Sequence, residues 1–150
     1  MEMNIAVIPG DGIGPEITTA AVTVLEAIAE KYGHVLNLQY VKACSQSVEE
    51  SGEPLPKEAL ETCLQADAVL LGNTGLEKYK NLPLSKRPEY ALLKLRKELK
   101  VTTNIRPVHV YPELKLLSPL NQNALSKGLD YLFVRDIAGG VLCSDQVKGE

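Results

Sequence analysis

The first feature that could do chemistry is a glycine loop near the start of the chain. Gly10, Gly12 and Gly14 follow a GxGxG spacing between a short apolar run and a stretch with helical periodicity. Backbone amides at the start of a helix can face a ligand, so this loop is a candidate binding loop. A tight strand-to-helix turn that needs glycine explains the residues equally well. The spacing differs from the GxGxxG fingerprint of Rossmann dinucleotide-binding folds.

The cysteines and histidines give no separate catalytic signal. Cys44, Cys63 and Cys143 are scattered, with no CxxC or Cys/His ligand spacing, which is typical of reduced thiols in a cytosolic protein. His34 follows a helix-ending glycine, and His109 has no acidic residue at a useful spacing. We therefore interpret both histidines as non-catalytic.

Composition excludes several classes of protein. The 150 residues are 45% hydrophobic and 23% charged, with a net charge of -3 and a pI of about 5.5. The chain has no long basic stretch, no Trp and only 5% aromatic residues, which argues against a nucleic-acid partner. The sequence contains no apolar run long enough for a membrane-spanning helix and starts without a secretory signal, so we expect a cytoplasmic protein.

Strand and helix patterns alternate along the first hundred residues. Short apolar or alternating runs predict strands at residues 4–8, 35–41, 67–72, 101–105, 131–134 and 140–143. Helical spacing and start or stop residues predict helices after Pro15, at 57–65, after Pro88, and from Ser118 to Gly128, with a loop at 73–87. Ile17, Ala21, Val24, Leu25 and Ile28 form the apolar stripe of the first helix.

This alternation predicts an α/β fold in which helices cover the strands. Because the pattern changes near residue 100, we expect one α/β domain at 1–100 and the incomplete start of a second at 101–150.

Ordered motifs resemble the β-decarboxylating dehydrogenases, the family of the isopropylmalate, isocitrate and tartrate dehydrogenases. The matching segments, which keep the family's order from Ile5 to Gly140, are IPGDGIGPE at 8–16, GEPLP at 52–56, AVLLG at 68–72, RPE with LLKLRK at 87–97, NIRP at 104–107, and VRD with GG at 134–140. The resemblance is to the N-terminal portion of a 3-isopropylmalate dehydrogenase. It implies an isopropylmalate-dehydrogenase-like layered fold, as the N-terminal part of a two-domain architecture.

The resemblance implies a substrate pocket. Arg96, Arg106 and Arg135 match the family's three arginines that bind the malate carboxylates, and guanidinium groups suit carboxylates because they form bidentate pairs. Leu92 and Leu93 match the leucine pair that contacts the isopropyl group, where isocitrate enzymes carry polar residues. The same leucines would also serve simply as core residues.

The resemblance also implies NAD as cofactor, bound by Ile13, Gly75, Leu76, Lys78 and Glu89. The match is weakest here, because Leu76 replaces a glycine of the family motif and a side chain restricts φ.

Other family residues are replaced or lie beyond position 150. Leu142 stands at the position of the catalytic tyrosine, and Ala138 replaces a threonine. The catalytic lysine and the aspartates that bind Mg²⁺ or Mn²⁺ come after Glu150 in the family. We therefore expect no catalytic residue and no metal ligand in this chain, and no turnover by it alone.

The implied reaction is the NAD-dependent oxidative decarboxylation of 3-isopropylmalate in leucine biosynthesis. One alternative is a related 2-hydroxyacid dehydrogenase, such as a tartrate enzyme, which the leucine pair disfavours. Another is a truncated or repurposed half that binds a ligand without turnover. The family is homodimeric, so we also expect self-association.

Overall fold

The computed structural model describes residues 1–121, 123, 125 and 128–139. By its internal contacts the chain divides into two units, Met1–Leu99 and Lys100–Glu150. The division falls beside the boundary expected near residue 100. That the two parts are separate domains stays a prediction.

The first unit alternates strands and helices. Its elements are β1 (Glu2–Gly10), α1 (Gly14–Tyr32), β2 (Val35–Tyr40), α2 (Cys44–Ser51), α3 (Lys57–Gln65), β3 (Ala68–Asn73), short 3-10 helices at Glu77–Tyr79 and Leu84–Lys86, and α4 (Glu89–Glu98). The three strands form a parallel sheet in the order β2-β1-β3. The predicted α/β architecture is thus confirmed for this unit.

Strand β1 is buried on both faces because it lies in the middle of the sheet. Ile5 and Val7 pack with Val22 of α1 on one face. Ala6 and Ile8 belong to the larger core on the other face, whose remaining buried members are Val41, Ala43, Cys44, Leu55, Ala59, Cys63, Ala91 and Leu95. The unit therefore has three layers, with α1 on one side of the sheet and α2, α3 and α4 on the other.

Helix α1 buries different residues from those of its apolar stripe. Pro15 lies in its first turn, and Gly33 ends it with a φ of 66°. The buried residues are Gly14, Thr18, Val22 and Ala29. Ile17, Val24 and Ile28 are instead 47%, 58% and 45% exposed. Ile17, Val24 and Ile28 consequently lie on the outside of the unit, Ala21 and Leu25 are half-buried, and Val22 makes the contact with the sheet together with smaller residues.

Two further details of the first unit differ from the sequence prediction, and one agrees with it. Helix α2 was missed because it is short and its sequence has no apolar stripe. The segment predicted as a loop at 73–87 contains two short 3-10 helices. Helix α3 agrees with the prediction in its bounds and in its buried Ala59 and Cys63.

The second unit is built on a two-stranded antiparallel sheet. It comprises β4 (Thr103–Val110), a 3-10 helix at Pro112–Leu117 and β5 (Leu129–Asp136). Strand β4 starts later and extends further than the strand predicted at 101–105. Both faces of this ribbon carry exposed large apolar side chains, among them Ile105, Phe133 and Val134.

The helix predicted from Ser118 to Gly128 is wrong at its start. Residues 118–121 are not helical and form a bend at 119–120, because the helical turn in this region lies earlier, at Pro112–Leu117. The strand predicted at 140–143 lies outside the described residues.

Candidate functional site

The glycine loop makes a close main-chain contact between β1 and β3. A Cβ on Gly10 would lie 2.0 Å from the Asn73 carbonyl oxygen, and one on Gly14 would lie 2.4 Å from the Pro9 carbonyl oxygen. A side chain at either position would displace backbone. Gly12, with a φ of 59°, has room for a Cβ, which would meet only Leu76 at 3.6 Å. The structure therefore supports the tight-turn explanation for the two outer glycines.

The loop lies where the connections of the sheet diverge. The chain leaves the central strand β1 toward β2 on one side and later returns to β3 on the other. In open α/β sheets, the crevice at the carboxyl ends of two such strands is the usual ligand site. The segments that follow β1 and β3 therefore form the candidate site of the first unit.

Four of the five predicted cofactor residues are at this edge, namely Ile13, Gly75, Leu76 and Glu89. Ile13 follows β1 and is 53% exposed, while Gly75 and Leu76 follow β3. Gly75 has a φ of 100°, and a Cβ there would lie 2.4 Å from Glu89 Oε1, so the absence of a side chain lets the Glu89 carboxylate lie against the Gly75 main chain. Leu76 has an ordinary extended backbone, with φ −133° and ψ 141°. The replacement of the family's glycine by Leu76 therefore causes no backbone strain.

Lys78, the fifth cofactor residue, is engaged with α2. Its Nζ lies 2.5 Å from Glu49 Oε1, and the Tyr79 hydroxyl donates to the same oxygen at 2.8 Å. The hydrogen bond from Lys78 is the main cause that lowers the pKa of Glu49, and the same bond raises the pKa of Lys78. The pair is exposed, so it contributes little to stability. It nevertheless directs the Lys78 charge toward α2.

Helix α4 carries its predicted site residues in one stripe. Glu89, Leu92, Leu93 and Arg96 are spaced i, i+3, i+4 and i+7, which places them on one helical face. The buried residues of the helix, Ala91 and Leu95, lie on the adjacent face. Leu92 is half-buried and Leu93 is 46% exposed. An apolar pair thus lies between a carboxylate and a guanidinium on a partly open surface.

In the second unit, the antiparallel register places Arg106 and Arg135 on the same face of the ribbon. Arg135 is opposite Asn104, and Arg106 is two residues further along β4. Side chains two residues apart on a strand share a face, so the two guanidinium groups are diagonal neighbours. Arg106 Nε donates to Asn104 Oδ1 at 3.1 Å, and both arginines are exposed.

His109 has an acidic partner that the sequence prediction missed. Its Nδ1 lies 3.6 Å from Asp130 Oδ2, because the strand register places the two residues opposite each other. The expectation that no acid lies near His109 is therefore wrong. The two residues are far apart in the sequence, so their spacing alone does not reveal that they are cross-strand neighbours. The non-catalytic role of His109 stays a prediction.

Two buried groups beside the candidate site also escaped the sequence analysis. Asp11, in the middle of the glycine motif, is 2% exposed. Cys44 is fully buried with a φ of 60°, and burial, followed by the charges of Asp11 and Glu89, raises the pKa of its thiol to about 12. Both Cys44 and Cys63 are free thiols.

Leu142 and Cys143 lie outside the described residues. In residues 1–121, 123, 125 and 128–139, no three His, Cys, Asp or Glu side chains are grouped as metal ligands would be. The described part of the chain also contains no helix long and apolar enough to cross a membrane.

This architecture, with a parallel sheet and a candidate ligand edge where the connections of β1 and β3 diverge, is that of a layered α/β fold. The sequence profile of the isocitrate/isopropylmalate dehydrogenase family matches residues 4–149. The chain belongs to this family, which confirms the resemblance and the fold that it implied.

Curated relatives are named 3-isopropylmalate dehydrogenase. The enzyme from Helicobacter hepaticus is 47% identical over 100% of this chain and 43% of its own length. The one from Clostridium acetobutylicum is 49% identical over 93% of this chain and 39% of its own length. The chain therefore spans about two fifths of the length of these relatives.

Solved structures give the same family. A β-decarboxylating dehydrogenase from Thermococcus kodakarensis superposes with a TM-score of 0.64 at 31% identity, over 89% of this chain and 33% of that protein. An isocitrate dehydrogenase from Methylococcus capsulatus gives a TM-score of 0.51 at 30% identity, over 73% of this chain and 29% of that one.

Proposed function

We propose that the chain provides the N-terminal part of a 3-isopropylmalate dehydrogenase, which carries out the NAD-dependent oxidative decarboxylation of 3-isopropylmalate in leucine biosynthesis. The names of the curated relatives support the substrate. The observation that carries the proposal is the α4 stripe, which we define as Glu89, Leu92, Leu93 and Arg96.

The α4 stripe suits a substrate that is anionic at one end and branched-aliphatic at the other. Arg96 would bind a carboxylate through a bidentate pair. Leu92 and Leu93 would contact the isopropyl group, whose burial contributes about 1.5–3 kcal/mol for a side chain of that size. A third carboxylate, as in isocitrate, would lose its hydration against the leucines without compensation.

Arg106 and Arg135 are proposed to bind substrate carboxylates in the second unit. Their shared face and exposure leave both guanidinium groups available to an anion. Asn104 accepts the Nε–H of Arg106, which restricts the orientation of the guanidinium plane. A fixed plane favours a bidentate carboxylate over a diffuse ionic contact.

The edge residues of the first unit fit a dinucleotide. Ile13 and Leu76 offer apolar surface to a ring, and the Glu89 carboxylate beside Gly75 is exposed and can accept hydrogen bonds from hydroxyl or amide groups. Lys78 would bind a phosphate only if it left Glu49. NAD, when bound, supplies the hydride acceptor.

The divalent metal of the proposed reaction, Mg²⁺ or Mn²⁺, does not fit the residues described here. No metal-ligand group occurs in the described part of the chain. The residues of this chain are accordingly assigned to binding and orientation of substrate and cofactor, and no catalytic step is assigned to them.

Self-association is proposed as a second property of the chain. Ile17, Val24 and Ile28 leave an apolar stripe on the outside of α1, and β2 and β3 are the edge strands of the described sheet. Contiguous apolar surface and open strand edges favour association.

The proposed function is tested through the apolar pair of the α4 stripe. Leu93→Ser should weaken binding of 3-isopropylmalate about tenfold, as measured by calorimetry, because part of the isopropyl contact is lost. Malate, which lacks the isopropyl group, should bind the variant and the wild-type chain equally well.

Leu64→Ser is the matched control, since Leu64 is a similarly exposed leucine, 48% against 46%, on α3. This variant should bind both ligands as the wild type does. Equal losses for isopropylmalate and malate in Leu93→Ser, or an unchanged affinity for isopropylmalate, would contradict the proposal.

A further inference from the structure

Asp11 is a buried carboxylate whose partners are main-chain amides. Its side chain is 2% exposed. Oδ1 accepts the N–H of Ser45 at 2.8 Å, and Oδ2 accepts the N–H of Gly75 at 2.7 Å. Burial of a charged group costs free energy unless hydrogen bonds compensate it. Each oxygen of Asp11 therefore has a specific donor.

These two bonds connect three segments at the carboxyl edge of the sheet. Ser45 is in the first turn of α2, where the helix dipole favours a negative charge. Gly75 begins the segment after β3 that presents Leu76. The backbone N–H of Asp11 donates to the Asn73 carbonyl at 2.7 Å, and its own carbonyl accepts the N–H of Gly14 at 2.8 Å.

A carboxylate suits this arrangement better than its neutral analogue. Both donors are N–H groups, so both side-chain atoms at position 11 must accept. An asparagine would offer one accepting oxygen and one donating NH₂ group, which would oppose one of the two amides. A charged acceptor also forms the stronger bonds.

We propose that Asp11 is a positioning residue for dinucleotide binding. Its carboxylate holds Gly75 in the positive-φ conformation in which the Gly75 main chain lies against the Glu89 carboxylate, and it sets the position of Leu76 over Gly12. This inference rests on the proposed function for its ligand. The positioning itself does not depend on the ligand and is measured separately.

The first measurement is amide hydrogen exchange by NMR on the 150-residue chain without ligand. The Gly75 and Ser45 amides should exchange slowly in the wild type, although Gly75 lies in a partly exposed loop. In Asp11→Asn, at least one of these two amides should exchange about tenfold faster or more, because it loses a hydrogen bond to a charged acceptor.

Asp67→Asn is the matched control. Asp67 also accepts a backbone N–H, from Asn4 at 2.8 Å, but at the amino end of β1. This variant should leave the Gly75 and Ser45 amides protected.

The second measurement is NAD binding by calorimetry. Affinity should fall about tenfold or more in Asp11→Asn and stay within about twofold of wild type in Asp67→Asn. A purely structural role would reduce the folded fraction and leave the affinity of the folded molecules unchanged, and that result would overturn the proposal.

Other outcomes separate the two proposals. Accelerated exchange in Asp11→Asn together with no NAD binding by the wild type supports the positioning and refutes the dinucleotide site. Fast exchange of Gly75 in the wild type overturns the positioning. If Asp11→Asn does not fold, the wild-type exchange rates of Gly75 and Ser45 decide, with slow exchange supporting the proposal and fast exchange overturning it.

Discussion

The substitution Gly72→Ala tests how closely β3 approaches the start of α1. Gly72 has no positive φ, so alanine meets no conformational penalty there. A Cβ at this position would nevertheless lie 2.1 Å from the Pro9 carbonyl oxygen, 2.6 Å from Thr18 Oγ1 and 3.1 Å from the Gly14 carbonyl oxygen. The Thr18 hydroxyl can rotate away, but the two carbonyls belong to the main chain at the end of β1 and to the first residue of α1.

We expect Gly72→Ala to destabilise the protein by about 3 kcal/mol. Inserted carbon atoms typically cost 1–3 kcal/mol, and main-chain obstacles put this site at the upper end. The control is Gly33→Ala, at a φ of 66° with no atom within 4 Å of the added Cβ. It should cost only about 1 kcal/mol, because the left-handed penalty is partly offset by the lower entropy of the unfolded chain.

Urea denaturation followed by circular dichroism measures both effects. The steric explanation requires Gly72→Ala to lose clearly more free energy of unfolding than Gly33→Ala, without a change in the slope of the transition. A Gly72→Ala variant within about 0.5 kcal/mol of wild type would refute the close packing of β3 against this turn.

Three further predictions concern backbone strain and ionisation. Lys100→Gly should stabilise the fold by about 1 kcal/mol in the same assay, because Lys100 has a φ of 55° just after α4. Lys97→Gly, inside α4, should instead destabilise the fold by about as much. The raised pKa of Cys44, about 12 against an ordinary 9.0, stabilises the fold below pH 9, and up to about 4 kcal/mol of this should be lost as the pH rises toward 12. Cys44→Ala should lose less stability over that range, and equal losses would contradict the burial of the thiol. The lowered pKa of Glu49 stabilises the fold above its ordinary pKa of 4.5, and this stabilisation should be lost as the pH falls through the pKa of Glu49 in the folded protein. A carboxyl NMR titration that gives Glu49 a pKa at or above 4.5 would disprove its bond to Lys78.

The strand order of the first unit could not be read from the sequence, although most of its elements could. Short apolar runs and breaker residues predict β1, β2 and β3, because each run is about as long as one strand. They do not determine the order β2-β1-β3, which depends on packing between distant segments. That order decides where the candidate ligand edge lies.

Amphipathic spacing predicted α1 correctly, but the apolar stripe is not the face that the helix buries most. Ile17 and Val24 have the apolar periodicity, yet the buried residues are Gly14, Thr18, Val22 and Ala29. Small residues allow the helix to approach the strands closely, and hydropathy does not register this requirement.

Residues of the candidate site could be grouped from the sequence where they lie on the same helix or strand, and could not be where they lie on different elements. The stripe of Glu89 and Arg96 follows from helical spacing once α4 is assigned. The bond between Lys78 and Glu49, the pair of His109 and Asp130, and the bonds of Asp11 to Ser45 and Gly75 all join residues far apart in the chain. A charged residue inside a glycine motif was the one available signal for Asp11, since a turn that needs only flexibility does not require a carboxylate.

The main-chain contact between the β1 turn and the end of β3 has a consequence for the cost of binding. Gly10, Gly14 and Gly72 bring backbone against backbone, with no intervening side chain whose rotamers would have to be ordered. A ligand at this edge therefore meets a surface that is already organised, and little conformational entropy is lost when it binds. Selectivity is then left to the side chains at the rim, Ile13 and Leu76, which can vary without disturbing the main-chain support beneath them.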